Sequence, residues 1–165
     1  LSSEKVVVFQ CGNEEYAVPI EHVISIEKLE HINPIPHLPN YLIGLMKIRG
    51  ELVPIIDFEQ ILYNRSGAEN ESARVITMHT QDMSIGLLVV EAKEILDIAT
   101  DDIKQIGLVN YTKTQYFTGV ANLENRMITI VDPSILVRSI EGIKDIQAYL
   151  EAVKKEELVT AEDRN

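Results

Sequence analysis

Short runs of β-branched and other apolar residues, broken by turn residues, make up most of this chain. Val6-Val7-Val8-Phe9, the turn Cys11-Gly12-Asn13-Glu14 and Tyr16-Ala17-Val18 together predict a β-hairpin. Pro19 ends the second strand or opens a short helical turn through Val23, Ile24 and Ile26. Residues 33–40 carry three prolines and exclude a regular element. A second hairpin follows, with strands over 42–48 and 52–56 around Arg49-Gly50-Glu51. Asp57 then ends the strand before a helical turn carrying Ile61 and Leu62. Residues 64–73 are polar without an apolar period and read as a connecting loop. Arg65, within that loop, reads as a surface arginine with no part in folding.

The pattern then restarts. Arg74-Val75-Ile76-Thr77-Met78, a turn at Gln81-Asp82 and Ile85-Gly86-Leu87-Leu88-Val89-Val90 form another hairpin. Tyr116-Phe117-Thr118-Gly119-Val120-Ala121-Asn122-Leu123, the turn Glu124-Asn125-Arg126 and Met127-Ile128-Thr129-Ile130-Val131-Asp132 form the next. This last unit repeats Tyr41-Leu42-Ile43-Gly44-Leu45-Met46-Lys47-Ile48 and its return to Asp57, with aromatic, glycine, turn and aspartate in one register. Two strand-rich halves, about 5–63 and 74–137, are therefore expected to form two small barrels related by a pseudo-twofold axis, within one domain over 1–140. Pro133 follows a capping Asp132 and starts a helix. After a break at Gly142, Ile143, Ile146, Leu150 and Val153 mark an amphipathic helix in 141–165, with a tail expected to fray past about Glu156.

Composition narrows the function. A chain of 165 residues, 45% hydrophobic and without Trp, can bury ~70% of its unfolded surface and needs no staple. Its lone Cys11 cannot form an internal disulfide, and it has no activating neighbour in sequence. A formal charge of −11 opposes binding to nucleic acid or anionic lipid. No apolar run nears the ~20 residues of a membrane span, so membrane insertion is not expected and the cytoplasm is. The opening residue, Leu1, is consistent with a trimmed start.

Candidate chemistry is sparse. His22, His31, His37 and His79 show no ligand spacing, so no metal is expected, and scattered single glycines make no phosphate loop. Asp57 and Asp132 occupy equivalent positions, where capping is the simpler role than acid–base work. No catalytic residue and no cofactor is expected. Arg49, at the tip of an apolar hairpin, is either a solvated turn residue or an interface anchor.

From Gly44 to Asp57 the chain resembles the CheW family, whose members read Gly-x-x-Asn-Leu-Arg-Gly, two or three apolar residues, Pro, an apolar pair and Asp. Gly44, Arg49, Gly50, Pro54 and Asp57 match. The resemblance extends over roughly 5–140, through Phe9, Tyr16, Val23-Ile24-Ser25-Ile26-Glu27, Gly86-Leu87-Leu88-Val89 and Gly119. It implies a mainly β fold of two intertwined five-stranded SH3-like barrels, and partners in the regulatory domain of the histidine kinase CheA and the cytoplasmic tip of chemoreceptors. It further implies a location at receptor arrays on the inner face of the membrane, and a partner-binding surface containing Val23, Ile26, Lys47, Arg49 and Gly50. Lys47 stands for the usual Asn, Ser25 for a frequent Glu and Val90 for a common Asp. Two other readings stay open: a small-molecule sensor using a cleft between the halves, and a fragment of a longer CheV-like protein.

Overall fold

The computed structural model describes residues 2–105 and 115–163, with side chains in the last helix described as far as Glu156. Strands β1 (Ser3–Cys11) and β2 (Glu14–Pro19) form the first hairpin around Gly12, whose positive φ of 58° suits the turn. A 3₁₀ turn, Ile20–His22, leads into β3 (Val23–Lys28). Here the structure departs from the sequence reading: the helical turn is confined to Ile20–His22, and Val23 to Ile26 are strand. The reason is tertiary, since β3 pairs with the distant β6 (Arg74–His79). Strands β4 (Leu42–Ile48) and β5 (Glu51–Asp57) make the second hairpin, and helix α1 (Phe58–Tyr63) follows. The prolines of 33–40 leave that segment outside the sheets, apart from a bridge between Asn33 and Leu45.

Strand β7 (Ser84–Val89) returns along β6. Two further strands, β8 (Glu91–Ala99) and β9 (Ile103–Gln105), have no counterpart in the sequence reading, because charged residues interrupt their apolar alternation. Strands β10 (Phe117–Leu123) and β11 (Arg126–Val131) form the last hairpin, followed by α2 (Pro133–Ser139) and α3 (Ile143–Asp163). Pro133 does open α2, and Gly142, at φ 89°, separates the two helices. The helical backbone of α3 continues past Glu156 to Asp163, further than the charged sequence suggests.

The strands form two sheets, in the orders β8-β1-β2-β11-β10-β9 and β3-β6-β7-β5-β4. Each sheet draws strands from both sides of the 64–73 connection, which is the intertwining of two SH3-like barrels. Register makes the pseudo-symmetry explicit. Ala17 lies opposite Ile130 across a parallel β2–β11 pair, as Gly86 lies opposite Ile55 across a parallel β7–β5 pair. Bulges recur at matching places: between Leu42 and Gly44 as between Phe117 and Gly119, and on β3–β6 at Val23/Ser25 as on β8–β1 at Val8/Phe9. A bulge costs ladder bonds and adds twist, so its recurrence marks two copies of one backbone path.

Val6, Val8, Ala17, Ile98, Ala121, Ile128 and Ile130 fill the first barrel, and Met46, Ile48, Val53, Ile55, Val75 and Leu88 fill the second. A larger cluster joins them, with Phe9, Tyr16, Phe58 and Tyr116 in edge-on and stacked contacts. Alternate residues of β1 therefore serve different cores: Val6 and Val8 face one, Val7 and Phe9 the other.

Candidate functional site

The β4–β5 hairpin is closed by a two-residue turn, with Ile48 opposite Glu51. Both turn residues have positive φ, 53° at Arg49 and 84° at Gly50, the signature of the turn that matches strand twist. Gly50 meets its φ without strain, and a Cβ there would touch nothing within 4 Å, so conformation and not space explains the glycine. Arg49 adopts the same left-handed region at a cost of roughly 1–2 kcal/mol.

That side chain is 69% exposed, and its Nε lies 3.9 Å from Oε1 of Glu27 on β3. The contact connects the hairpin tip to β3 at the sheet's opposite edge, so Glu27 joins the site although nothing in the sequence reading nominated it. Ile26, next to Glu27 in the chain but on the other face of the strand, is 44% exposed. Val23, by contrast, is half-buried against the central core opposite Met78 and contributes mainly packing. Lys47 is exposed, and it lines a different feature together with Gly50. This is a groove of about 480 Å³ walled by Leu52, Met83, Leu150 and Val153. The five predicted residues thus lie on the hairpin and on β3, with Arg49 and Glu27 as the observed link.

Register reveals a further exposed residue. Ile26 lies opposite Ile76 on β6, and Ile95, 57% exposed, lies opposite Val7 on β1, the equivalent position of the other barrel. Only the isoleucine itself repeats between Val23-Ile24-Ser25-Ile26-Glu27-Lys28 and Ala92-Lys93-Glu94-Ile95-Leu96-Asp97. Strand pairing was needed to align them.

The aspartates are caps. Asp57 accepts from Gln60 N at 3.2 Å and Gly67 N at 2.9 Å, while Asp132 accepts from Ser134 N at 2.9 Å and Ile135 N at 3.1 Å. Their own amides donate to equivalent carbonyls, of Tyr41 at 2.7 Å and Tyr116 at 2.8 Å. Burial raises the carboxyl pKa of Asp57, but both its oxygens are engaged in bonds to backbone. Cys11 is buried, and desolvation pushes its thiol up to about 12, the wrong direction for a nucleophile. Among the described residues no group of three or more His, Cys, Asp or Glu is arranged to hold a metal.

Arg65 is not the idle surface residue its loop suggested. Its Nε donates to Glu59 Oε1 at 2.7 Å, and Gly12 N donates to Oε2 at 2.7 Å. Glu59 is almost fully buried, so this pair ties the connecting loop and the first hairpin to α1.

Comparison with known proteins adds three findings. The model of the CheW-like domain matches residues 5–141. A chemotaxis protein CheW of Klebsiella aerogenes is 28% identical over 139 residues, covering 84% of each chain, and that of Bacillus subtilis is 26% identical over 138 residues, covering 82% of this chain and 88% of its own. The crystal structure of the scaffolding protein TtCheW from Thermoanaerobacter tengcongensis superposes with a TM-score of 0.73 at 25% identity, covering 83% of this chain and 89% of that one.

Proposed function

The chain belongs to the CheW family, its CheW-like domain spanning residues 5–141, and from that premise we propose that it is a non-catalytic chemotaxis adaptor coupling chemoreceptors to the histidine kinase CheA. Its place in this reading is the cytoplasm, at receptor arrays on the inner face of the membrane. Among the described residues no helix is long and apolar enough to cross a membrane.

The observation that carries the reading is an exposed arginine held in a turn of positive φ, its Nε 3.9 Å from Glu27 of an edge strand that also exposes Ile26 on its other face. Arginine forks carboxylates and backbone carbonyls while its stem packs on apolar surface, which is the chemistry of an interface anchor. The Arg49–Glu27 pair, at 3.9 Å and largely solvated, adds little to folding, so its partners are free to be exchanged for those of a docked protein.

Arg49→Gly separates the two roles. Glycine accepts the turn's φ, so the variant should melt close to wild type. Loss of the guanidinium should weaken binding to a chemoreceptor cytoplasmic fragment by about 1–3 kcal/mol. Lys5→Ala, exposed on β1 with no ion pair among the described residues, serves as the control. Unchanged receptor binding by Arg49→Gly, measured by titration beside thermal melts, would remove the residue from the site.

A further inference from the structure

Glu59 is a carboxylate placed where charge is costly. Its side chain is 4% exposed, and its oxygens accept from two separate segments: Oε1 from Arg65 Nε and Oε2 from Gly12 N, both at 2.7 Å. A buried anion is tolerated only with a cation and hydrogen bonds around it. Here the cation is at the surface. Arg65 is 61% exposed, and its guanidinium lies over the Tyr63 ring, 5.3 Å from the centroid. The charge that compensates a buried group is therefore in contact with solvent.

The second half of the molecule shows what the hairpin turn alone requires. Ser134 follows Asp132 by two residues, as Glu59 follows Asp57, and its Oγ accepts from Gln81 N at 3.4 Å. Gln81 comes four residues after Thr77, as Gly12 comes four after Val8, each in the turn of its hairpin. A neutral hydroxyl thus receives the turn amide there, with no buried charge and no arginine. What the glutamate adds in the first half is the connection to Arg65, and through it to the 64–73 loop. Asn64, at φ 55°, ends α1 and turns the chain back along it. Gly67 then lies buried against the start of the helix, its N–H donating to Asp57 Oδ2 at 2.9 Å. A Cβ on Gly67 would come within 3.0 Å of Glu59 Cβ, and one on Gly12 within 2.7 Å of the Tyr63 ring, so loop and turn both sit flat on α1. Cys11, next to Gly12, is fully buried in the central cluster against which Tyr63 packs.

We propose that the Arg65–Glu59 pair is a latch: it holds the start of the connecting loop and the β1–β2 turn together on α1, and withdrawing the Arg65 guanidinium lets loop and turn open as one local unit over Cys11. The reason is electrostatic. Without the guanidinium, the Glu59 carboxylate regains solvation only by leaving its site, and leaving breaks its bond to Gly12 N. The barrels do not depend on that bond, since their cores are formed by other residues. The opening is therefore local, one step short of unfolding.

Cys11, the single cysteine, reports the opening on the full chain. With iodoacetamide in native buffer, Arg65→Ala should label roughly tenfold or more faster than wild type. Its rate should be almost independent of urea at low concentration, the mark of an opening that exposes little surface. An unchanged rate would overturn the proposal. So would a rate that climbs with urea along the slope of global unfolding, because Cys11 would then be reached only by unfolding the whole chain. Amide exchange is the second readout. Gly12 and Gly67 should lose protection together in Arg65→Ala, while Gln81 exchanges as in wild type; loss at only one of the two glycines would separate loop from turn and refute the latch. Should Arg65→Ala fail to fold, the same substitution is made in Glu59→Gln, whose neutral side chain needs no cation. In that background Arg65→Ala should change labelling by less than about twofold. A larger change would assign the effect of the arginine to its contact with Tyr63 and not to the carboxylate, and the latch would fall.

Discussion

Thr77 and Ser25 show what a single atom does in a barrel interior. They lie opposite each other on β6 and β3, and both hydroxyls are buried without a hydrogen-bond partner among the described residues. An unsatisfied buried hydroxyl forfeits its bonds to water and receives nothing back. The other barrel shows the alternative: Val8 stands where Thr77 does, each opposite the small residue at the parallel pairing, Ala17 or Gly86. Thr77→Val should therefore raise stability by about 1 kcal/mol, read as a higher midpoint in urea with an unchanged slope. A loss of stability would mean that the hydroxyl is satisfied after all. Residue-scale chemistry was partly legible in sequence. The capping roles of Asp57 and Asp132 follow from position after a strand, whereas the burial of Glu59 and its dependence on Arg65 do not, because three separate segments meet there.

At the scale of elements, ion pairs join strands that sequence does not place together. Arg126 on β11 holds Glu15 on β2 through Nε at 3.0 Å and Nη2 at 2.6 Å, and also bonds Glu94 on β8, while Lys93 lies 3.7 Å from Glu15. The Arg126 hydrogen bonds hold the Glu15 carboxyl below its ordinary 4.5. A carboxylate with a depressed folded pKa contributes stability that is present above the ordinary value and lost as pH falls through the lowered one. Arg126→Met should be less stable than wild type at pH 7, and the gap should narrow on acidification below about pH 4. Melting temperatures at matched ionic strength decide it. A gap that stays constant with pH would assign the loss to packing of the arginine stem.

Over the whole molecule, the allocation of strands to sheets governs cooperativity. The first sheet takes β1 and β2 from one side of the 64–73 loop and β8 to β11 from the other, and the second sheet does the reverse with β3 to β5 and β6 to β7. Neither sequence repeat contains a complete barrel. Residues 1–63 expressed alone should stay unfolded, and mixed with 74–165 they should recover the β signal of the intact chain. Far-ultraviolet circular dichroism during mixing is the measurement, and a cooperative melt from 1–63 alone would contradict it. The intact chain should unfold in one transition, since the central cluster draws on strands from both sheets.

The sequence by itself determined the hairpins, the loop at 33–40, the capped α2, the amphipathic stripe of α3 and the repeat between residues near 41–57 and 116–132. Each rests on contacts close in the chain: turn residues that accept positive φ, prolines that remove donors, and alternation that sorts residues to two faces. It also placed Arg49 and Gly50 at the tip of the second hairpin, because turn chemistry is local. Tertiary structure decided the rest. β8 was hidden because an edge strand that buries few of its side chains needs little apolar alternation, and its identity comes from pairing with β1. Val23 to Ile26 became strand because β6 was there to receive them. Glu27 joined Arg49, and Ile95 matched Ile26, only once the two barrels had exchanged strands, since pairing across such separations depends on the fold as a whole and leaves no periodic mark in the chain.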